Sequence, residues 1–110
     1  MIVEIANDVH IVVLDSRINP VSSLDLHNVL IELIEKGARK IICDLSKTEY
    51  IASAGLMTFL MAAKKLKQCD GEISLCSINQ HVQKVFDISG FSKIFSIYES
   101  REKGLSSCQK

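Results

Sequence analysis

Apolar residues dominate the first fifteen positions in two β-like runs, residues 2–5 (IVEI) and 9–15 (VHIVVLD). Ala6-Asn7-Asp8 separates them, and Asn-Asp is good turn chemistry, so an N-terminal hairpin is predicted. The period then changes. Over residues 18–37, Leu26, Val29, Leu30, Leu33 and Ile34 recur at helical spacing. Asn19 and Pro20 suit the N-cap and first helical position, and Gly37 suits the stop. Residues 40–45 (KIICDL) form a continuous apolar run, as a strand buried on both faces requires. A second helix is predicted over 54–68, with Gly71 ending it or lying just beyond. Residues 72–78 (EISLCSI) read as another strand. Asn79 caps a third helix over 80–89, Gly90 ends it, and 93–98 (KIFSIY) returns to strand. The polar tail from Glu99 holds Gly104 and is expected to add one helical turn or to fray over about 100–110. The resulting order is β-β-α-β-α-β-α-β. Alternating strands and helices imply crossover connections and an α/β fold, with a mostly parallel sheet and the hairpin supplying an antiparallel edge.

A chain of 110 residues has room for one domain with a single core, and 47% hydrophobic residues favour a folded chain over a disordered one. No repeat, low-complexity segment or linker divides it. Net charge is zero and no Lys/Arg block stands out, which argues against a nucleic-acid partner. The longest nearly apolar run, Ala54 to Ala63, is too short to cross a bilayer. The N-terminus alternates and carries Glu4 early, unlike a signal peptide, so a cytoplasmic location with no membrane insertion is expected. Cys43, Cys69, Cys76 and Cys108 form no CxxC pair, and His10, His27 and His81 are widely separated. No metal and no cofactor are expected. Phosphate-binding glycine loops and the nucleophile elbow are absent as motifs, so the chain does not read as an enzyme.

The chemistry concentrates in residues 49–67, EYIASAGLMTFLMAAKKLK. Leu56, Phe59, Leu60, Ala63 and Leu66 make the expected core face of the second helix. Ser53, Met57 and Met61 follow at intervals of one turn and lie off that face. Two readings of the methionines stay open: padding at the core edge, or an adaptable partner surface. Ser53 also has two. It suits an N-cap, accepting a bond from a first-turn amide. Equally, a helix start points free N–H groups and positive potential at whatever sits there, which favours a phosphate on Ser53. Gly55 with Ala52 and Ala54 would leave room for another protein to reach the hydroxyl.

Residues 37–67 resemble the signature of the STAS domain family, and more narrowly the bacterial anti-sigma factor antagonists. The matching pieces are the apolar strand, Asp44-Leu45-Ser46, the short connection, and Ser53-Ala54-Gly55-Leu56 opening a helix. The likeness extends to the hairpin, the first helix and the closing ISGFSKIFSIYES. It implies a single STAS domain over 1–110. The implied fold is a mostly parallel four- to five-stranded sheet with an antiparallel edge strand, packed with three to four helices. It implies partner switching in sigma-factor regulation. The unphosphorylated antagonist would hold an anti-sigma factor that is also a serine kinase. That kinase, supplying ATP and Mg, would phosphorylate Ser53, and a PP2C-type phosphatase would reverse the mark. The partner-binding positions implied are Asn19, Ala52, Ser53, Ala54, Gly55, Met57 and Met61. Two positions depart from the family pattern, which commonly has Asp where this chain has Asn19 and Ala52. The alternative is a constitutive STAS subunit of another bacterial assembly, in lipid transport or signalling, without phosphorylation.

Overall fold

The computed structural model describes residues 1–108. β1 (Ile2–Ala6) and β2 (Val9–Val13) form the predicted antiparallel hairpin, with Ala6 opposite Val9. Asn7 and Asp8 make the turn at φ 50° and 68°. Two consecutive left-handed residues match the twist of the flanking strands, and these two types tolerate that conformation. The chain continues through β3 (Arg17–Ile18), α1 (Pro20–Glu35), β4 (Lys40–Asp44), β5 (Tyr50–Ile51) and α2 (Ser53–Lys67). It closes with β6 (Glu72–Cys76), α3 (Gln80–Ser89), a 3₁₀ turn at Phe91–Lys93, β7 (Ser96–Tyr98) and α4 (Arg101–Cys108). The main sheet has five strands in the order β1-β2-β4-β6-β7, parallel except at the β1 edge. The expected α/β architecture is therefore present, and the helices number four among the described residues. None of them is long and apolar enough to cross a membrane.

Strand alternation divides the interior into two layers. Val12, Leu14, Ile41, Cys43, Ile73 and Leu75 face a large core completed by α1, α2 and α3. There Phe59, Phe86 and Phe95 meet with ring centroids 6.1 to 6.4 Å apart, fixing α2 against α3. Val9, Ile11, Val13, Ile42 and Cys76 face the other way, towards Leu105 and Cys108 of α4. β4 is thus buried on both sides, as its unbroken apolar run requires. The caps of α1 and α3 stand where the sequence places them. The Asn19 Oδ1 accepts from the Val21 and Ser22 amides at 3.0 and 2.9 Å, and the Ser22 Oγ accepts from the Asn19 amide at 2.9 Å. This reciprocal box closes the start of α1. Gly37 ends α1 at φ 104°, and Gly90 ends α3 at φ 82°.

Three features differ from expectation. The strand expected over 93–98 shrinks to Ser96–Tyr98, because Phe91 and Phe95 turn into the core together at helical spacing, leaving Ile94 exposed. The core face of α2 is rotated: Ala62 is fully buried, whereas Leu60 and Ala63 sit at the margin. The tail is an ordered helix over residues 101–108, docked under the sheet; residues 109–110 of the expected frayed segment lie outside the described residues. Polar ties hold it where apolar pattern is scarce. The Arg101 Nη2 donates to the Asp44 Oδ2 at 2.9 Å, and its Nη1 donates to the Glu4 Oε1 at 3.1 Å.

Burial alone would raise the Asp44 carboxyl, but the Ser46 amide and the Arg101 guanidinium outweigh it and hold it below the usual carboxylate range. A depressed carboxyl contributes stability that is present above its unfolded value and lost as pH falls through its folded value. Arg101→Ala should therefore cost about 1–3 kcal/mol near neutral pH, where the buried Asp44 carboxylate loses its guanidinium partner and keeps only the Ser46 amide. The gap from wild type should narrow below about pH 4, as Asp44 protonates in both. Urea unfolding at both pH values checks this; a gap that ignores pH contradicts it.

Candidate functional site

Two short strands outside the main sheet organise the site. β3 and β5 pair in parallel, Arg17 opposite Tyr50 and Ile18 opposite Ile51. Both isoleucines are buried. One further bond extends the ladder, from the Ala52 amide to the Ile18 carbonyl at 2.8 Å. The next residue on each strand is a helix N-cap: Asn19 for α1 and Ala52 for α2. The ladder thus starts two helices side by side. It is fixed from below, since the buried Thr48 hydroxyl donates to the Asp15 carbonyl at 2.9 Å and the Asn79 Nδ2 donates to the Thr48 carbonyl at 2.8 Å.

The two helix starts differ chemically. That of α1 is filled by its capping box. That of α2 is open, because Ala52 has no side chain able to cap. The Gly55 and Leu56 amides reach the Ala52 carbonyl at 2.9 and 3.3 Å. Among the described residues the Ser53 and Ala54 amides have no hydrogen-bond acceptor. Ser53 is the first helical residue and not the cap, which corrects the N-cap reading. It is exposed, and among the described residues its hydroxyl has no partner. An available hydroxyl therefore stands on the first residue of a 15-residue helix whose first amides are free.

Gly55 has a different role from the one expected. It is buried, and a Cβ there would lie 2.8 Å from the Ile18 Cγ2 and 3.0 Å from the Ile51 Cγ1. Its missing side chain seats α2 on the ladder and opens no path from outside. Ala54 is exposed beside Ser53. Met57 is 58% exposed, so core padding does not explain it; Met61 is half-buried. Asn19 stands at the same end of the molecule, with its side-chain oxygen committed to α1.

Sequence reasoning missed four neighbours. Val21 and Leu24 are 74% and 61% exposed on the first turns of α1. A signal existed, since both fall off the spacing of Leu26, Val29 and Leu30. Arg17 lies over the Tyr50 ring, 4.7 Å from its centroid, and that pairing requires a ladder too short to announce itself. Other reactive groups are quiet. No group of three or more His, Cys, Asp or Glu could hold a metal among the described residues. Burial, then the Asp44 charge, pushes the Cys76 thiol up to about 11, so it stays protonated.

The sequence profile of the STAS domain matches residues 1–104. This chain belongs to the STAS domain family. A STAS relative from Bordetella bronchiseptica, named as a candidate anti-sigma factor antagonist, BtrV, is 42% identical over 89 residues, covering 81% of this chain and 77% of its own. A Thermotoga maritima protein described in the same terms superposes with a TM-score of 0.91 at 24% identity, over 98% of this chain and 93% of that one. The Bacillus cell fate determinant SpoIIAA in its phosphorylated form gives 0.77 at 18% identity, over 96% of each chain. The last two likenesses establish the fold.

The vacant cap makes a direct prediction for this STAS domain. Ala52→Asp should raise stability by about 1 kcal/mol, because a carboxylate there can accept the first-turn amides and complement the helix dipole. A thermal melt should rise by about 4–8 °C. An unchanged or lower melting temperature would show that the start of α2 is already satisfied.

Proposed function

We propose that this STAS domain is an anti-sigma factor antagonist, a binding protein whose affinity is switched by phosphorylation of Ser53. The observation that carries the reading is the open start of α2, where an exposed, unpartnered hydroxyl stands beside free amides. The name given to the 42% identical relative supports the same class. The partner is an anti-sigma factor that is also a serine kinase, and it brings ATP and Mg. Transfer forms a bond between the Ser53 Oγ and the γ-phosphorus and breaks the bond to the ADP leaving oxygen. The hydroxyl proton passes to a base on the kinase. A PP2C-type phosphatase restores the hydroxyl by hydrolysis.

Phosphorylation acts on two equilibria with opposite signs. The product carries about −1.5 to −2 charges near pH 7, which the dipole and free amides of α2 accept without loss of the fold. A partner that has packed against the neutral hydroxyl meets an unpaired charge at a drying interface, which is unfavourable. The contact surface comprises Asn19, Ala52, Ser53, Ala54, Met57 and Met61, with Val21 and Leu24 added from α1.

The test uses purified GHKL-type kinases encoded in the same genome. One of them with Mg-ATP should modify Ser53 alone, read by peptide mass mapping. Ser53→Asp should weaken binding about tenfold or more, roughly 1.4 kcal/mol. Met57→Lys should weaken it similarly while stability stays within about 0.5 kcal/mol, since Met57 is exposed. Phosphate on Ser46 or Ser92 with Ser53 clean would overturn the assignment. Tight binding that ignores ATP would instead favour a constitutive subunit.

A further inference from the structure

The same helix carries an uncompensated charge pattern at its other end. α2 contains no acidic residue, and its last turn holds Lys64, Lys65 and Lys67. Elsewhere two exposed lysines, Lys36 and Lys103, pair with Glu32 at 2.7 Å and with Glu99 at 2.6 Å, whereas Lys84 on α3 forms no ion pair among the described residues. Lys64, Lys65 and Lys67 form no ion pair among the described residues. Lys64 and Lys65 line a shallow groove of about 270 Å³ with Met57, Leu60, Met61 and Gln68. Residues 53, 57, 64 and 68 repeat at intervals of one and two turns, so Ser53, Met57, Lys64 and Gln68 share the outward face of α2. That face changes from neutral and adaptable at Met57 to cationic at Lys64.

A dipole argument alone would account for lysines at a helix C-terminus. It does not account for a thioether groove running into them. We propose that the strip from Met57 to Gln68 docks an apolar partner surface bordered by carboxylates. This rests on the reading of Ser53 given above and specifies the partner's chemistry. The kinase should present Asp or Glu side chains about 17 Å from its phosphoryl-transfer centre, the rise of the helix from Ser53 to Lys64. Rim charges of this kind chiefly set the rate of encounter and its salt dependence. Ser53 lies in the contact itself and governs departure.

The experiment follows association of the purified kinase that phosphorylates Ser53. Lys64→Glu with Lys65→Glu should slow association about tenfold at low salt. The deficit should shrink at about 0.5 M salt, where exposed charges are screened within a few ångströms. Lys64→Gln with Lys65→Gln should give a smaller slowing, and it carries the test if the reversed pair fails to fold. Lys36→Glu, just beyond the end of α1, serves as a control and should leave association unchanged. A kinase that phosphorylates Ser53 but associates equally fast with wild type and the lysine variants overturns the docking strip and leaves the Ser53 reading intact. A lowered melt with unchanged association assigns the lysines to the dipole and has the same effect. If no kinase engages wild type, both readings fall together.

Discussion

A ladder two residues long on each strand sets the geometry of the candidate site. Such a ladder has almost no stability of its own. It persists because its inward members, Ile18 and Ile51, are buried in the main core, a burial worth roughly 1.5–3 kcal/mol for each isoleucine. The hydroxyl of Thr48 and the amide of Asn79 fix the chain just ahead of it. Everything beyond follows from where it ends. The bond from the Ala52 amide to the Ile18 carbonyl sets the first residue of α2, and the bare Cα of Gly55 lets the helix settle on the two isoleucines.

The ladder delivers two helix starts to one surface, and the sequence treats them unequally. At α1 the Asn19 and Ser22 side chains satisfy the amides, so that end is closed and helps hold the fold. At α2 an alanine leaves them open, and the next residue offers a hydroxyl. A newly added anion would therefore meet donors already in place and require no rearrangement. Exposed Val21, Leu24 and Met57 surround this end without a role in the core. On the proposed reading, stability and recognition fall to different residues within a few positions of each other, which would allow one to change without the other.

Much of the fold was legible because its elements are long enough to repeat. The hairpin showed in its alternation and its Asn7-Asp8 turn. α1 showed in its spacing and its cap at Asn19, α3 in its cap at Asn79 and its stop at Gly90, and β4 in its unbroken apolar run. The parts that escaped are short or held by polar bonds between distant residues. A ladder as short as β3 and β5 cannot display a period. α4 depends on Arg101 finding Asp44 and Glu4 across the sheet. The helix start at the candidate site was legible as a stretch and wrong in its detail by one residue. Local propensity makes Ser53 the cap, whereas the strand bond at Ala52 makes it the first helical residue. Likewise the smallness of Gly55 was visible, but only the packing shows that it faces Ile18 and Ile51. The family resemblance supplied the functional expectation, and the geometry shows which atoms are free to meet it.

The most direct test compares the unmodified chain with the same chain stoichiometrically phosphorylated on Ser53, by thermal melt and by backbone amide spectra. An anion received by an open helix start leaves the melting temperature unchanged or raised, with shifts confined to residues 17–24 and 50–58. A melt lowered by several degrees, with shifts reaching Phe59, Phe86 and Phe95, would contradict the account. It would show that the charge acts by disrupting the core and not by altering the surface offered to a partner.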